Sequence, residues 1–205
     1  MQIIEPSFEI LDRVNGPELL ARIERYGRTC YKSEDKITTE SAPTFVRMLL
    51  ARGHESVLEH EKITVRVICN RGVSHEIVRH RIAAYSQEST RYCNYGKGDG
   101  ITVIRPLFFA PDSPEFEEWE TAMEQAEDAY NALLAMGASP QEARSVLPNS
   151  LKTEIVITYN LREWRHFFRL RTSPAAHPQM REIAIPMLRE FRRLVPVVFD
   201  DIEVA

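Results

Sequence analysis

Apolar residues recur at helical spacing through residues 114–136, at Phe116, Trp119, Met123, Ala126, Tyr130, Leu133 and Leu134, and the run stops at Gly137. This pattern predicts the clearest helix of the chain. A similar reading predicts a helix opened by Pro17 and running to Tyr31, and another over 44–52 that stops at Gly53. Alternation of β-branched and polar residues predicts strands at 61–70 and 151–159, with a further extended segment at 2–11. Residues 73–81 read as a short helix, followed by an irregular stretch to Tyr92. The run Tyr-Gly-Lys-Gly-Asp-Gly at 95–100 reads as the turn of a small hairpin whose second arm is 101–106. A short helix lies within 139–148, and another follows Asn160, which has Glu163 three residues later in the manner of a capping box. The last helix covers 180–194, with Pro186 as an expected kink. The sum is an α+β fold, a mainly antiparallel sheet flanked by helices, in a single domain over 1–205.

Composition sets the class without naming a function. At 43% hydrophobic and 27% charged, the 205 residues suit one folded, core-bearing unit. No apolar run approaches the roughly 20 residues needed to cross a bilayer, and the first residues lack a basic segment followed by an apolar one. A cytoplasmic protein is expected, without a membrane partner. Cys30, Cys69 and Cys93 are too widely spaced for a Cys-x-x-Cys pair and read as reduced thiols.

The net charge of −4 hides local patterning, because arginines crowd 66–91 and 162–193. The densest stretch is Arg79-His80-Arg81, seven residues, Ser89, then Arg91-Tyr92. Arginine forks and loop amides suit a phosphate. On the residues alone, a solvated ladder of ion pairs to Glu76 or Glu88 fits equally well.

Here the sequence resembles the flavin-dependent thymidylate synthases. The Arg-His-Arg-x7-Ser spacing is similar to the family signature, and so are Gly-His-Glu-Ser-Val-Leu-Glu-His at 53–60, Glu-Ala-Arg-Ser-Val-Leu-Pro at 142–148 and Asn-Leu-Arg-Glu-Trp-Arg-His-Phe-Phe-Arg-Leu-Arg at 160–171. These four blocks stand in the family order. Departures are Ala84, Ser86 and Gln87, where the stricter signature has Ser, Asn and Glu, and Glu76, where Gln is frequent. Gln87 keeps an amide able to donate and accept but lacks the carboxylate charge.

The resemblance implies the fold of the thymidylate synthase complementing proteins and reductive methylation of dUMP to dTMP. FAD would carry hydride from NADPH, 5,10-methylenetetrahydrofolate would supply the carbon, and a homotetramer would complete each site with residues of different subunits. It implies flavin contacts at His54, Ser56, Arg79, His80, Arg81, Gln87, Asn160, Leu161, Arg162 and His166. It implies dUMP contacts at Glu76, Ile77, Val78, Arg79, Gln87, Glu88, Ser89, Thr90, Arg91, Arg144 and Arg171. Arg171 would be the catalytic group, stabilising an ionised pyrimidine electrostatically.

Some of these assignments have simpler alternatives. Arg162, His166 and Arg169 share a helical face that could be merely solvated, His54 could be a local cap, and Arg171, placed between Trp164 and Phe167 on the wheel, could snorkel to water. A metal hydrolase reading fails on spacing, since His-Glu-x-x-His from His54 would need histidine at Leu58, and the inverted motif ending at His60 would need it at Ser56. A nucleic-acid module using Tyr85, Tyr92 and Tyr95 is opposed by the negative net charge. A flavin- and nucleotide-binding relative with altered transfer chemistry stays open.

Overall fold

The computed structural model describes residues 1–204. In chain order the elements are β1 (Gln2–Ile4), β2 (Ser7–Ile10), α1 (Gly16–Tyr31), α2 (Ser41–Ala51), β3 (Lys62–Asn70), α3 (Arg71–Ile77) and β4 (Ala83–Gln87). They continue with β5 (Thr102–Ile104), α4 (Pro114–Ala135), α5 (Pro140–Ala143), β6 (Lys152–Asn160), α6 (Leu161–Arg171) and α7 (Pro178–Leu194). The fold is α+β, with an antiparallel sheet in the order β2-β3-β6-β4. A smaller parallel pair joins β1 to β5, with Gln2 opposite Thr102 and Ile4 opposite Ile104.

The chain divides into two compact units. The first comprises Met1–Ser7, Arg66–Arg79 and Tyr85–Val156; the second comprises Phe8–Val65, His80–Ala84 and the residues from Ile157 on. In the first, Ile101, Val103, Met123 and Leu151 are buried together, with Ile3, Trp119 and Leu147 against them. In the second, the aromatic face of α6 forms the core. Trp164 lies 4.5 Å from the Tyr159 ring and 4.9 Å from the Phe191 ring, and its indole N–H donates to the Ile63 carbonyl at 2.9 Å. That bond satisfies a polar group which burial would otherwise strand.

Helix starts follow from side-chain caps. Asn15, Asn70, Ser113 and Asn160 each accept the backbone N–H three residues on, satisfying donors that a helix leaves unpaired. Lys32 ends α1 in the left-handed region at φ 48°.

Four expectations need correction. The extended segment 2–11 breaks at Glu5-Pro6 into two strands of different sheets, since proline has no N–H for a ladder. The expected hairpin does not form: Gly98 and Gly100 take positive φ, and β5 pairs with the distant β1. The helix expected at 73–81 starts at Arg71 and ends at Ile77, so the Arg-His-Arg run lies beyond it. The stretch read as irregular contains β4, an edge strand whose Ala-Ala-Tyr-Ser-Gln carries little strand signal.

Candidate active site

In the first unit, two stretches are drawn together around the end of β4. Gln87 donates through Nε2 to Ser74 Oγ at 3.0 Å and to Thr153 Oγ1 at 3.1 Å, which ties β4 to α3. The Tyr85 hydroxyl donates to the Ile77 carbonyl at the end of α3. Glu88 is occupied on both oxygens, by the Tyr95 hydroxyl and by Lys152 Nζ, each at 2.7 Å. Burial and this bond to Glu88 push the Tyr95 phenol well above its ordinary pKa. An open hollow of about 440 Å³ is bounded by Ser86, Gln87, Glu88, Glu154 and Val156.

The turn after β4 presents hydroxyls and guanidinium groups. Ser89 Oγ accepts the Arg91 N–H at 3.3 Å, and Arg144 donates to the buried Thr90 Oγ1 at 3.3 Å. Arg91 donates through Nε to Gln141 at 3.1 Å. The structure therefore gathers Ser89, Thr90, Arg91 and Arg144 beside α5. Ser89 is met by a backbone amide rather than by a histidine, so nothing there would activate it as a nucleophile. Ile77 is buried in the core, so its side chain is not available to a ligand.

In the second unit the organising residue is His80, at 4% exposure. Its two neighbours, Arg79 and Arg81, are exposed, so the Arg-His-Arg run does not act on one face. His80 Nδ1 lies 2.9 Å from Glu163 Oε1, and Arg171 donates through Nε to His80 Nε2 at 3.1 Å. The His80 ring packs 5.1 Å from Phe167 and 5.4 Å from His166. Burial lowers the His80 pKa; the bond to Glu163 opposes this, and the Arg171 charge reinforces it. Neutral imidazole is the favoured state at neutral pH. Arg171 is half-buried, as expected from its place on the aromatic side of α6.

The exposed face of α6 borders a cleft of about 450 Å³ lined by Glu55, Glu59, Ile82, Arg162, His166 and Arg169, among others. Arg162, His166 and Arg169 thus share one cleft, as their helical spacing predicts. The arginines are balanced by acids: Arg162 meets Glu59, and Arg169 meets Glu55 at 3.3 Å. Asn160 also borders the cleft, while its side chain caps α6 by accepting the Glu163 N–H at 2.8 Å. Leu161 is fully buried and its N–H donates to the Glu61 carbonyl, so its side chain faces the core instead of the cleft. His54 and Ser56 are exposed, and His54 Nδ1 bonds the Tyr31 hydroxyl at 2.8 Å with no capping bond of its own.

Three residues with central places in this geometry escape the sequence reading: Glu163, Glu55 and Arg165. Glu163 reads there as half of a capping box, yet its carboxylate goes to His80. The available signal is its spacing, because Glu163, Phe167 and Arg171 fall at i, i+4 and i+8 on one stripe of α6. Arg165, at 1% exposure, binds Asp201 through both terminal nitrogens, and only its partners' positions reveal why a charge is buried there.

Comparisons with known proteins show the family of the chain. The family described as thymidylate synthase complementing protein matches residues 9–197. A flavin-dependent thymidylate synthase of Geobacter sulfurreducens is 36% identical over 199 residues, covering 94% of this chain and 84% of the relative. One from Pyrococcus furiosus is 34% identical over 175 residues, covering 84% and 72%. The crystal structure of a UMP/dUMP methylase, PolB, from Streptomyces cacaoi bound with 5-Br dUMP shares the fold. Its TM-score is 0.83 at 23% identity, covering 98% of this chain and 96% of that one. With a family match across most of its length and relatives above 30% identity on two sides, this chain belongs to the flavin-dependent thymidylate synthase family and is a methyltransferase.

Proposed function

We propose that this protein converts dUMP to dTMP, taking the carbon from 5,10-methylenetetrahydrofolate and the hydride, by way of FAD, from NADPH. The balanced reaction releases tetrahydrofolate and NADP+. The observation that carries the reading is the half-buried Arg171, whose Nε–H is fixed on His80 Nε2 at 3.1 Å, so that a planar fork suited to a pyrimidine oxygen is held in one orientation.

The donor set of the second unit suits FAD. Arg162, Arg169 and His166 offer cationic donors around the cleft, and the exposed Ile82 offers apolar surface to a planar ring. Arg162 and Glu59 are 53% and 45% exposed, so a ligand phosphate can replace the carboxylate at small cost. In this proposal Arg162, His166, Asn160, His54, Ser56, Arg79, Arg81 and Gln87 hold the flavin, Leu161 contributes backbone only, and the buried His80, both ring nitrogens engaged by Glu163 and Arg171, supports the site without a hydrogen bond to the flavin. Bound FAD supplies the hydride chemistry; the protein binds, orients and excludes water.

Ser89, Thr90, Arg91 and Arg144 hold the dUMP phosphate in this reading, with Glu76 to Arg79, Gln87 and Glu88 placing the rest of the nucleotide. Arg171 binds the pyrimidine and stabilises negative charge on it, which makes the ring carbon that receives the methyl group more nucleophilic. We also propose one domain over 1–205, since β3, β4 and β6 each run from one unit into the other, together with a cytoplasmic homotetramer whose sites are completed between subunits. Among the described residues no helix is long and apolar enough to cross a membrane.

The test is anaerobic incubation of purified protein with dUMP, methylenetetrahydrofolate, FAD and NADPH. Formation of dTMP and tetrahydrofolate in equal amounts is expected. A colourless protein that gives no dTMP under these conditions contradicts the proposal. Light scattering of the purified protein tests the tetramer.

A further inference from the structure

We infer that Glu163 is a positioning residue for Arg171, acting through His80; this rests on the reading of Arg171 as the group that faces the pyrimidine. The argument begins with what each atom can do. A guanidinium only donates, so His80 Nε2, which receives Arg171 Nε–H at 3.1 Å, must carry a lone pair. A neutral imidazole then has its proton on Nδ1, and that proton meets Glu163 Oε1 at 2.9 Å. Carboxylate, imidazole and guanidinium form a chain in which the acid selects the tautomer and the tautomer selects where Arg171 can sit.

The other states of the ring are excluded by the same geometry. With the proton on Nε2, two N–H groups face each other across 3.1 Å, and the guanidinium must move. A doubly protonated ring makes the same clash and adds a like charge. Burial of His80 and the Arg171 charge both disfavour that form. A metal ion is a further possibility, because His80, Glu163 and His166 bring ligand atoms within 4.8 Å of one another. It would have to take a His80 nitrogen already committed to Glu163 or Arg171, and the guanidinium lies beside it.

Glu163 is well built for the task. At 7% exposure its carboxylate is shielded from water, and its backbone N–H is held by the Asn160 cap at 2.8 Å. The stripe that carries Glu163 and Arg171 also carries Phe167, whose ring packs at 5.1 Å on His80 and limits its rotation. Removing the carboxylate leaves the cap and the aromatic core in place, so the effect falls on the ring and on Arg171.

The experiment uses holoenzyme labelled with 15N-histidine, with ring tautomers read from long-range 1H–15N correlations and His80 assigned by its loss in His80→Asn. Wild-type protein is expected to show His80 neutral with its proton on Nδ1. Glu163→Gln should keep this tautomer and near-normal turnover, since the amide oxygen also accepts. Glu163→Ala should lose the single tautomer and drop kcat about tenfold, the scale typical of such supporting bonds, with flavin absorbance retained. If Glu163→Ala does not fold, Glu163→Met, which fills the volume without an acceptor, takes its place. A wild-type His80 protonated on Nε2 overturns the inference, as does an acceptor-free variant with unchanged tautomer or unchanged kcat. Full turnover by Arg171→Ala is a separate result: it removes the reading of Arg171 while the His80 tautomer is still read directly.

Discussion

Replacing Arg165 with alanine should destabilise the protein more than any change on the outer face of α6. The guanidinium is 1% exposed and donates to Asp201 Oδ1 at 2.6 Å, to Asp201 Oδ2 at 2.7 Å, to Glu55 at 3.2 Å and to the Val198 carbonyl. These bonds fasten the segment after α7, where Phe199 packs 5.7 Å from Phe168 and Val197 is held at φ 78°, a strained value for a β-branched residue. Removing one partner of a buried ion pair costs about 3–5 kcal/mol. Asp201 is 52% exposed and can rehydrate, so the lower end, about 3 kcal/mol, applies. For a chain of 205 residues that corresponds to a fall in Tm of about 6–12 °C. Urea denaturation of flavin-free protein should show a lower midpoint at unchanged slope. Asp201→Asn keeps an acceptor and should lose much less. The pH dependence has a definite sign. The hydrogen bond from Arg165 holds the Asp201 pKa down, so its contribution is present above the unfolded carboxylate value and fades as pH falls below it. A loss below about 1 kcal/mol in Arg165→Ala, or an equal loss in Asp201→Asn, would refute this account.

Arg171→Ala should retain flavin absorbance while kcat falls about 10²–10³-fold, the range for removing one preorganised electrostatic donor; stopped-flow and steady-state rates check it. Ser89→Ala should raise the KM for dUMP about tenfold and still yield dTMP at saturation, and zero product there would reopen a nucleophilic role. Because burial lowers the folded-state pKa of His80, the unfolded chain binds that proton more readily. Stability should therefore decline as pH falls below about 6.5, by up to about 1.4 kcal/mol per pH unit. Subtracting the profile of His80→Gln isolates this slope from the other titrating groups, and a flat difference between pH 7 and 5 would contradict it.

What the sequence disclosed depended on the range of the interaction. Helices α1, α4 and α6 were legible because their caps and apolar stripes lie within a few residues of one another, as with Asn160 and Glu163. Strand β4 was not, because Ala83 and Ala84 carry little preference and its pairing is set by distant chain. The site divides in the same way. Helical spacing gave the shared face of Arg162, His166 and Arg169 and the inward lean of Arg171. It could not give the bond from Arg171 to His80, which is 91 residues away, or from Arg165 to Asp201.

Burial separates the roles of arginines that sequence alone makes equivalent. Arg162 and Arg165 are one turn apart on α6, and both are paired with carboxylates. At 53% exposure, Arg162 gains little from Glu59, because water screens the pair and competes for both partners. A ligand phosphate brings a second charge and more acceptor oxygens, so exchange at Arg162 is favourable. At 1% exposure, Arg165 has no such freedom, since releasing Asp201 would leave its guanidinium, shut off from water, with only Glu55 and the Val198 carbonyl to balance it. The first arginine is therefore suited to bind an anion and the second to hold the backbone that frames the cleft. Charge reversal tests the distinction: Glu59→Lys should change flavin affinity with little effect on Tm, whereas Asp201→Lys should lower Tm even without flavin.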